Sequence, residues 1–271
     1  MKPVRCRPRL LAVAAVVLVG CSVPVTTGNT RPAAPVVAFF DGFDGPAGAR
    51  PSAMWQFDVG GGGWGNNEMQ VYTDDPENVR LDGAGHLEIS ARADDAGKIT
   101  SARVTTKGAV EFTAGRAEAR ISLPAGTGLH PAFWLLGASL DDVGWPEAGE
   151  IDVIETLNHA DEYHTGVHVP SSGAERRQQI LASGPAPFGL AGQFHTYWVE
   201  REPGRITTGI DDLTLYTVTP ADLAPESRWV FDTPFFLLLN VAVGGSWPGP
   251  PDASTPNPST MLVDWVKVTP R

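Results

Sequence analysis

The stretch Gly149–Thr156, Gly-Glu-Ile-Asp-Val-Ile-Glu-Thr, follows a loop that contains a Trp-Pro pair. Its three acids, Glu150, Asp152 and Glu155, alternate with aliphatic residues that favour a β-strand. Carboxylates gathered on one face of a strand repel one another and separate their pKa values. A retaining glycosidase requires that state, because it uses one ionised carboxylate as nucleophile and a second, protonated carboxyl group as acid. The run therefore predicts cleavage of a glycosidic bond.

The spacing of these acids predicts a β-bulge. The first two share one face of a regular strand, whereas Glu155 would face the core. One extra residue in the strand reverses the side chains that follow it. We therefore expect a bulge near Val153 and Ile154 that brings all three acids into one cleft. Ile151 and one of the two bulge aliphatics should pack beneath them. An exposed strand with solvated acids is the alternative.

The composition fits one compact, turn-rich β-domain. The 271 residues include 30 Gly and 24 Pro, with 42% hydrophobic and 19% charged residues, which excludes a disordered chain. A net charge of -11 would repel nucleic acid, so we expect a neutral partner. Short alternating runs such as 86–93 (HLEISARA) predict an antiparallel β-sandwich. The run 234–243 (PFFLLLNVAV) is apolar on both faces and should lie at a sheet centre, and a short helix should follow Pro220.

Residues 1–20 predict a signal peptide for export. Three arginines precede the apolar run Leu10–Val19, which is too short for a comfortable membrane span. The residues that end in Cys21 resemble a bacterial lipobox, which predicts a lipoprotein that is acylated at Cys21 and faces outward from the cell envelope. An ordinary secretory signal is the alternative. Residues 21–36 predict a flexible tether, and 37–271 predict the catalytic domain. No cysteine follows Cys21, so the mature chain forms no internal disulfide.

Several blocks resemble glycoside hydrolase family 16 in its bulged Glu-x-Asp-x-x-Glu form, which is typical of laminarinase-like endo-β-1,3-glucanases. Besides the acid run, the matching blocks occur in the family's order at 63–73 (GWGNNEMQVYT), 115–137 (GRAEARISLPAGTGLHPAFWLLG), 234–249 (PFFLLLNVAVGGSWPG) and 261–268 (MLVDWVKV). The resemblance extends from about residue 38 to the end of the chain. It implies an all-β, concanavalin-like antiparallel jelly-roll sandwich with an open concave substrate cleft. It also implies a retaining, endo-acting β-glucan hydrolase.

The resemblance assigns roles to matching residues. Glu150 matches the nucleophile, Glu155 the general acid/base, and Asp152 the middle acid that tunes the protonation of the other two. The expected substrate-binding residues are Asn66, Glu118, Arg120, Trp134, Trp145, His168, Asn240 and Trp247.

Some of these positions have a second interpretation from the residues alone. Glu118 and Arg120 lie at i and i+2, so they can share a face and bind hydroxyl groups, or they can form an ordinary ion pair. His168 and Trp134 could be core residues. The remaining candidates, His130, His159 and His164, show no metal-ligand spacing with an acid and receive no role.

Catalysis by two carboxyl groups requires no cofactor. The resemblance implies that a structural Ca²⁺ could bind on the convex face through oxygen ligands near Asp264 and Gly83. Gly42 stands where the family often has Glu, so the sequence leaves open whether Ca²⁺ binds. The expected partners are a β-glucan polysaccharide and, through the lipid anchor, a membrane. An open cleft needs no second subunit, so we expect a monomer.

Two other functions stay open from the sequence. An envelope-anchored transglycosylase would pass the glycosyl group to another sugar instead of water. A non-catalytic lectin would use the same sandwich, although a binding protein has no need of three mutually repelling acids. The linkage specificity depends on loops whose shape the sequence does not define.

Overall fold

The computed structural model describes residues 38–271. The predicted signal peptide, the tether and the lipidation site at Cys21 lie outside the described residues. Between residues 38 and 271, no helix has the length and apolar character that crossing a bilayer would require.

Strands dominate the described residues. They are β1 (Phe39–Asp41), β2 (Gln56–Phe57), β3 (Val71–Tyr72), β4 (Val79–Leu81), β5 (Leu87–Ala93), β6 (Ile99–Ser101), β7 (Arg103–Thr105), β8 (Glu111–Phe112), β9 (Gly115–Ser122), β10 (Leu129–Gly137), β11 (Glu150–Glu155), β12 (Glu162–Pro170), β13 (Arg177–Pro185), β14 (Phe194–Glu202), β15 (Arg205–Ile210), β16 (Leu213–Val218), β17 (Phe235–Val243) and β18 (Ser259–Pro270). A short helix α1 (Leu140–Val143), which the sequence did not predict, follows β10. The helix expected after Pro220 is a single 3₁₀ turn, Pro220–Asp222.

The strands form two sheets that enclose one main hydrophobic core. The first sheet runs in the order β16-β15-β14-β9-β18-β5-β6-β3, with β1 beside β18 and β4 beside β5. The second, which we call the cleft sheet, runs β13-β12-β11-β10-β17-β7-β2, with β8 beside β17. Apart from the β3–β6 pair, the paired strands are antiparallel. The predicted all-β antiparallel sandwich is therefore confirmed.

Strand β17 lies inside the cleft sheet, between β10 and β7, and all nine of its residues are buried. This confirms the central position that was predicted from its apolar sequence. A strand with neighbours on both edges and packing on both faces favours aliphatic side chains at every position.

Strand β11 contains the predicted bulge. On β10, Phe133 pairs with Ile154 and the next residue, Trp134, pairs with Asp152, which leaves Val153 without a partner. The register with β12 shifts at the same place, between Asp152 and Glu155. The bulged backbone is held by Thr165 of β12, whose hydroxyl donates to the carbonyl oxygen of Asp152 at 2.7 Å.

The bulge sends both of its aliphatic residues inward. Ile151, Val153 and Ile154 all have 0% exposure and belong to the main core. The prediction that only one of Val153 and Ile154 packs beneath the acids is therefore wrong. Two consecutive inward side chains are what reverses the strand and turns Glu155 back to the face of Glu150.

Candidate active site

A cleft of about 770 Å³ lies on the outer face of the cleft sheet. All three predicted catalytic acids, Glu150, Asp152 and Glu155, line it. Six of the predicted substrate-binding residues line it as well: Asn66, Trp134, Trp145, His168, Asn240 and Trp247.

Glu150 lies at the start of β11, opposite His168 of β12. The indole N–H of Trp145 donates to Glu150 Oε2 at 2.7 Å, and His168 Nε2 lies 3.6 Å from Glu150 Oε1. Burial and the charge of Asp152 raise the pKa of Glu150 to about 8, Glu155 adds to this increase, and the charge of His168 and the hydrogen bond from Trp145 oppose it. Trp145 donates a hydrogen bond to the carboxylate and His168 supplies a nearby positive charge, so both favour its ionised form.

Asp152 is 2% exposed, and its Oδ2 atom lies 3.1 Å from His168 Nε2. Burial raises the pKa of Asp152, and the charge of Glu155 adds to that effect. Burial alone would lower the pKa of His168, but the hydrogen bond and charge of Asp152 outweigh it and raise that pKa to about 9. His168 is therefore an imidazolium at neutral pH. Because the acids are close together, they titrate as a group and not one by one.

Glu155, at the end of β11, contacts a histidine that the sequence analysis left without a role. His130 Nε2 lies 2.8 Å from Glu155 Oε1, and both side chains are largely buried. His130 is on β10, two residues before Ala132, which pairs directly with Glu155. Residues two apart on a strand share a face. The even spacing of His130 from Trp134 was the signal that could have placed it in the cleft.

A stack of aromatic and basic side chains also lines the cleft. The Arg103 guanidinium lies over the ring of Trp134 at 4.5 Å and over the ring of Trp64 at 5.0 Å. Trp134 donates its indole N–H to Asn240 Oδ1 at 2.7 Å, and Asn240 Nδ2 donates to the hydroxyl of Tyr72 at 3.1 Å. These contacts fix the orientation of Trp134. Arg103, Trp64 and Tyr72 were not among the site residues predicted from the sequence.

A fourth carboxyl group, Glu68, also lines the cleft and was missed. Its Oε2 atom accepts a hydrogen bond from Gln70 Nε2 at 2.5 Å. Burial raises the pKa of Glu68, and hydrogen bonding to Gln70 opposes that effect.

Two half-exposed indole rings flank the acids. Trp145, 41% exposed, lies beside Glu150, and Trp247, 39% exposed, lies beside His130 on the Glu155 side. Trp247 makes edge contacts with His130 at 5.2 Å and with His164 at 4.8 Å. Flat apolar rings of this kind suit the C–H faces of sugars.

Glu118 and Arg120 do not lie in the cleft, so their prediction as sugar-binding residues is wrong. Both belong to β9 of the other sheet, where Ala117 and Ala119 face the core and the charged residues face outward. Glu118 pairs with Lys267 at 2.5 Å, and Arg120 pairs with Asp264. The strand's alternation is compatible with either sheet, so only the pairing of strands could show that this face is remote from the acids.

Of the two positions suggested for a structural Ca²⁺, Asp264 is already paired with a cationic side chain. The carboxylate of Asp264 pairs with the Arg120 guanidinium, which already supplies the compensating positive charge. Gly83 lies in the β4–β5 turn, where a β-carbon would come within 2.8 Å of the backbone nitrogen of Ala47. Among residues 38–271, the one group of three side chains close enough to share a cation is Glu150, Asp152 and His168. An imidazolium in that group favours proton sharing over a metal ion.

Comparison with known proteins gives a consistent result. The family described as "Glycosyl hydrolases family 16" matches residues 64–267. A β-glucanase of Rhodothermus marinus is 36% identical and aligns with 93% of this chain and 91% of its own length. The structure of an endo-β-1,3-glucanase from Pyrococcus furiosus superposes with a TM-score of 0.76 at 38% identity, covering 86% of this chain and 93% of that one. The laminarinase catalytic domain of Thermotoga maritima superposes with a TM-score of 0.76 at 36% identity, covering 86% and 97%. The chain therefore belongs to glycosyl hydrolases family 16.

Proposed function

We propose that this protein is a retaining endo-β-1,3-glucanase. The observation that carries the proposal is the bulged strand β11, which places Glu150, Asp152 and Glu155 in one cleft. The names of the relatives, a β-glucanase, an endo-β-1,3-glucanase and a laminarinase, support β-1,3-glucan as the substrate.

The surroundings of each acid support a division of roles. Glu150 accepts the N–H of Trp145 and lies beside the imidazolium of His168, and both favour the ionised form that a nucleophile needs. They act against burial and the neighbouring acids, which raise the pKa of Glu150 to about 8. In the first step its carboxylate forms a bond to the anomeric carbon. The bond from that carbon to the leaving oxygen breaks, and the proton of Glu155 goes to the leaving oxygen. In the second step Glu155 takes a proton from water, the resulting hydroxide attacks the anomeric carbon, and Glu150 is released.

A reducing-sugar assay against laminarin, curdlan, lichenan and agarose tests the activity and its linkage. We expect the highest rate on laminarin. Glu150→Ser and Glu155→Gln should each abolish turnover while leaving the urea midpoint close to that of the wild type. Glu118→Gln is a matched control because this glutamate lies on the other sheet, and it should retain full activity. Undiminished activity of either cleft variant would refute the roles.

Product analysis separates this reaction from its alternatives. A retaining hydrolase releases the β-anomer first, which ¹H NMR detects before mutarotation, and mass spectrometry should show products shorter than the substrate. Products longer than the substrate would indicate transglycosylation. Binding of laminarin without any product would indicate a lectin.

The protein's location in the cell is part of the proposal and rests on the sequence around Cys21. The basic and apolar segments before this cysteine support export and acylation, with the catalytic domain tethered outside the membrane. Labelled palmitate should enter the wild-type protein and not Cys21→Ala. Fractionation should show the wild type with the membrane and the variant in the soluble fraction. Equal labelling of both proteins would refute the anchor.

A further inference from the structure

The histidine beside the expected acid/base is held in a defined geometry. His130 Nε2 and Glu155 Oε1 lie 2.8 Å apart, which is hydrogen-bonding distance. The two side chains are 10% and 13% exposed, so bulk water competes weakly for this contact. Strand β10 carries His130 and strand β11 carries Glu155, and the bulge is what brings the glutamate to this face.

The other ring nitrogen of His130 identifies where the proton lies. His130 Nδ1 is buried and has no hydrogen-bond partner among the described residues. A proton on that nitrogen would leave a buried N–H group without an acceptor, which is unfavourable. The neutral ring therefore favours its proton on Nε2, in the hydrogen bond to Glu155.

The charges around His130 come from four side chains on three elements. Glu155 and Asp152 face it from β11, Glu68 from the segment before β3, and His164 from β12. Burial alone would lower the pKa of His130, but the hydrogen bond and charge of Glu155, assisted by the other two carboxylates, raise it. Trp247 covers the ring with an edge contact at 5.2 Å. The imidazole is thus surrounded mainly by negative charge and shielded on one side by an indole.

We propose that His130 and Glu155 together hold two protons at rest, one in the Nε2–Oε1 hydrogen bond and one transferable proton that either partner can carry, so that the acid/base of this enzyme is an imidazole–carboxyl pair instead of a single carboxyl group. The inference rests on the proposed function for its catalytic meaning, although the pair itself does not depend on activity. His130 is a positioning residue, since it acts through Glu155.

The proton balance follows the two steps of the reaction. In the first step the transferable proton of the pair passes from Glu155 to the leaving oxygen, while the glycosidic bond breaks, Glu150 bonds to the anomeric carbon, and the proton in the Nε2–Oε1 hydrogen bond stays with the pair. The pair is then a neutral imidazole, with Nε2–H, and a carboxylate, and the hydrogen bond between them becomes charge-assisted. In the second step the attacking water returns one proton to the pair.

The pair can be tested without any substrate. Histidine ¹⁵N–¹H NMR across pH 5 to 10 should locate the titration of His130 in the wild type and in Glu155→Gln. We expect the His130 midpoint to fall by about 1 to 3 pH units in the variant, because the opposite charge is lost and burial remains. His86, which pairs with Asp82 outside the cleft at 2.6 Å, is the internal reference. An unchanged His130 midpoint overturns the proposal, whether or not the enzyme hydrolyses glucan.

The pH profile of the rate provides the second test. His130→Gln keeps an N–H donor near Glu155 but cannot take up a proton, so the high-pH limb of kcat/KM should move to lower pH. His130→Phe keeps the ring and removes the donor, so its kcat should fall further. Both substitutions should lower the rate on glucan. They should leave the rate on an aryl glycoside unchanged, because its good leaving group needs no acid. His86→Gln should leave the profile unchanged. An equal loss at every pH would assign His130 a structural role only and overturn the proposal.

Discussion

Deletion of Val153 should be tolerated, although this residue is fully buried beneath the active site. The run Glu-Ile-Asp-Val-Ile-Glu would become Glu-Ile-Asp-Ile-Glu, which alternates strictly and keeps the acids on one face. The neighbouring strands already have the matching register. Phe133 and Trp134 of β10 pair with Ile154 and Asp152, so the shortened strand fits without a shift.

The stability cost can be worked from the structure. Val153 has 0% exposure, and burial of a valine side chain contributes about 1.5–3 kcal/mol. Without the bulge, the shortened strand β11 should form one more backbone hydrogen bond with its neighbour, which contributes about 0.5–1.5 kcal/mol. The net loss in the free energy of unfolding should therefore be about 1–2 kcal/mol, small against the roughly 5–15 kcal/mol of a typical domain.

Urea unfolding and initial rates on laminarin measure the two effects. The deletion variant should fold and retain hydrolysis, with a loss of up to about 10²-fold from displacement of Glu155. As the control, an alanine inserted between Ile154 and Glu155 turns the glutamate toward the core and should abolish activity. The reasoning fails if the deletion variant does not fold, or if the insertion variant is the more active one.

Three further predictions concern single side chains. Trp145→Phe removes the N–H donor to Glu150, so kcat/KM on laminarin should fall about 10- to 100-fold, and an unchanged value would deny this bond a role. Arg201→Met removes the donor to three backbone carbonyls, two in buried contacts and one part-buried, and should cost at least about 3 kcal/mol in urea unfolding. The exposed Arg205→Met should cost less than about 1 kcal/mol, and equal costs of the two substitutions would contradict the argument. The pKa of His168 is raised to about 9, so its stabilisation is complete below about pH 6.5 and is lost as the pH rises through 9. Over that pH range the free energy of unfolding of the wild type should fall on the order of 3 kcal/mol more than that of His168→Gln. If the free energies of unfolding of the two proteins fall in parallel with pH, the charge assigned to His168 is refuted.

The features that the sequence predicted correctly are local ones. The alternation of apolar and polar residues identified the strands. The nearly uninterrupted apolar sequence of β17 placed this strand at the sheet centre. The bulge followed from the odd spacing between Asp152 and Glu155, because a fixed two-residue period makes any departure visible.

The errors and omissions depend on contacts between distant residues. Glu118 and Arg120 alternate as a cleft pair would, but the sheet to which β9 belongs is set by its pairing with β14 and β18. Asn240 bonds to Tyr72, which is 168 residues away. No periodicity within a strand carries information about such a contact.

The bulge also explains why the two outer acids differ in their environment. Strand β11 has β12 on one side and β10 on the other. Glu150 contacts His168 from β12, whereas Glu155 contacts His130 from β10. Each acid thus has its own imidazole, supplied by opposite neighbouring strands.

His168 also contacts Asp152, so its positive charge compensates the carboxylates at the nucleophile end. His130 lies at the other end, where a proton must leave and return in every cycle. If one histidine served both acids, protonation of one would directly alter the charge of the other, and separate partners reduce that coupling.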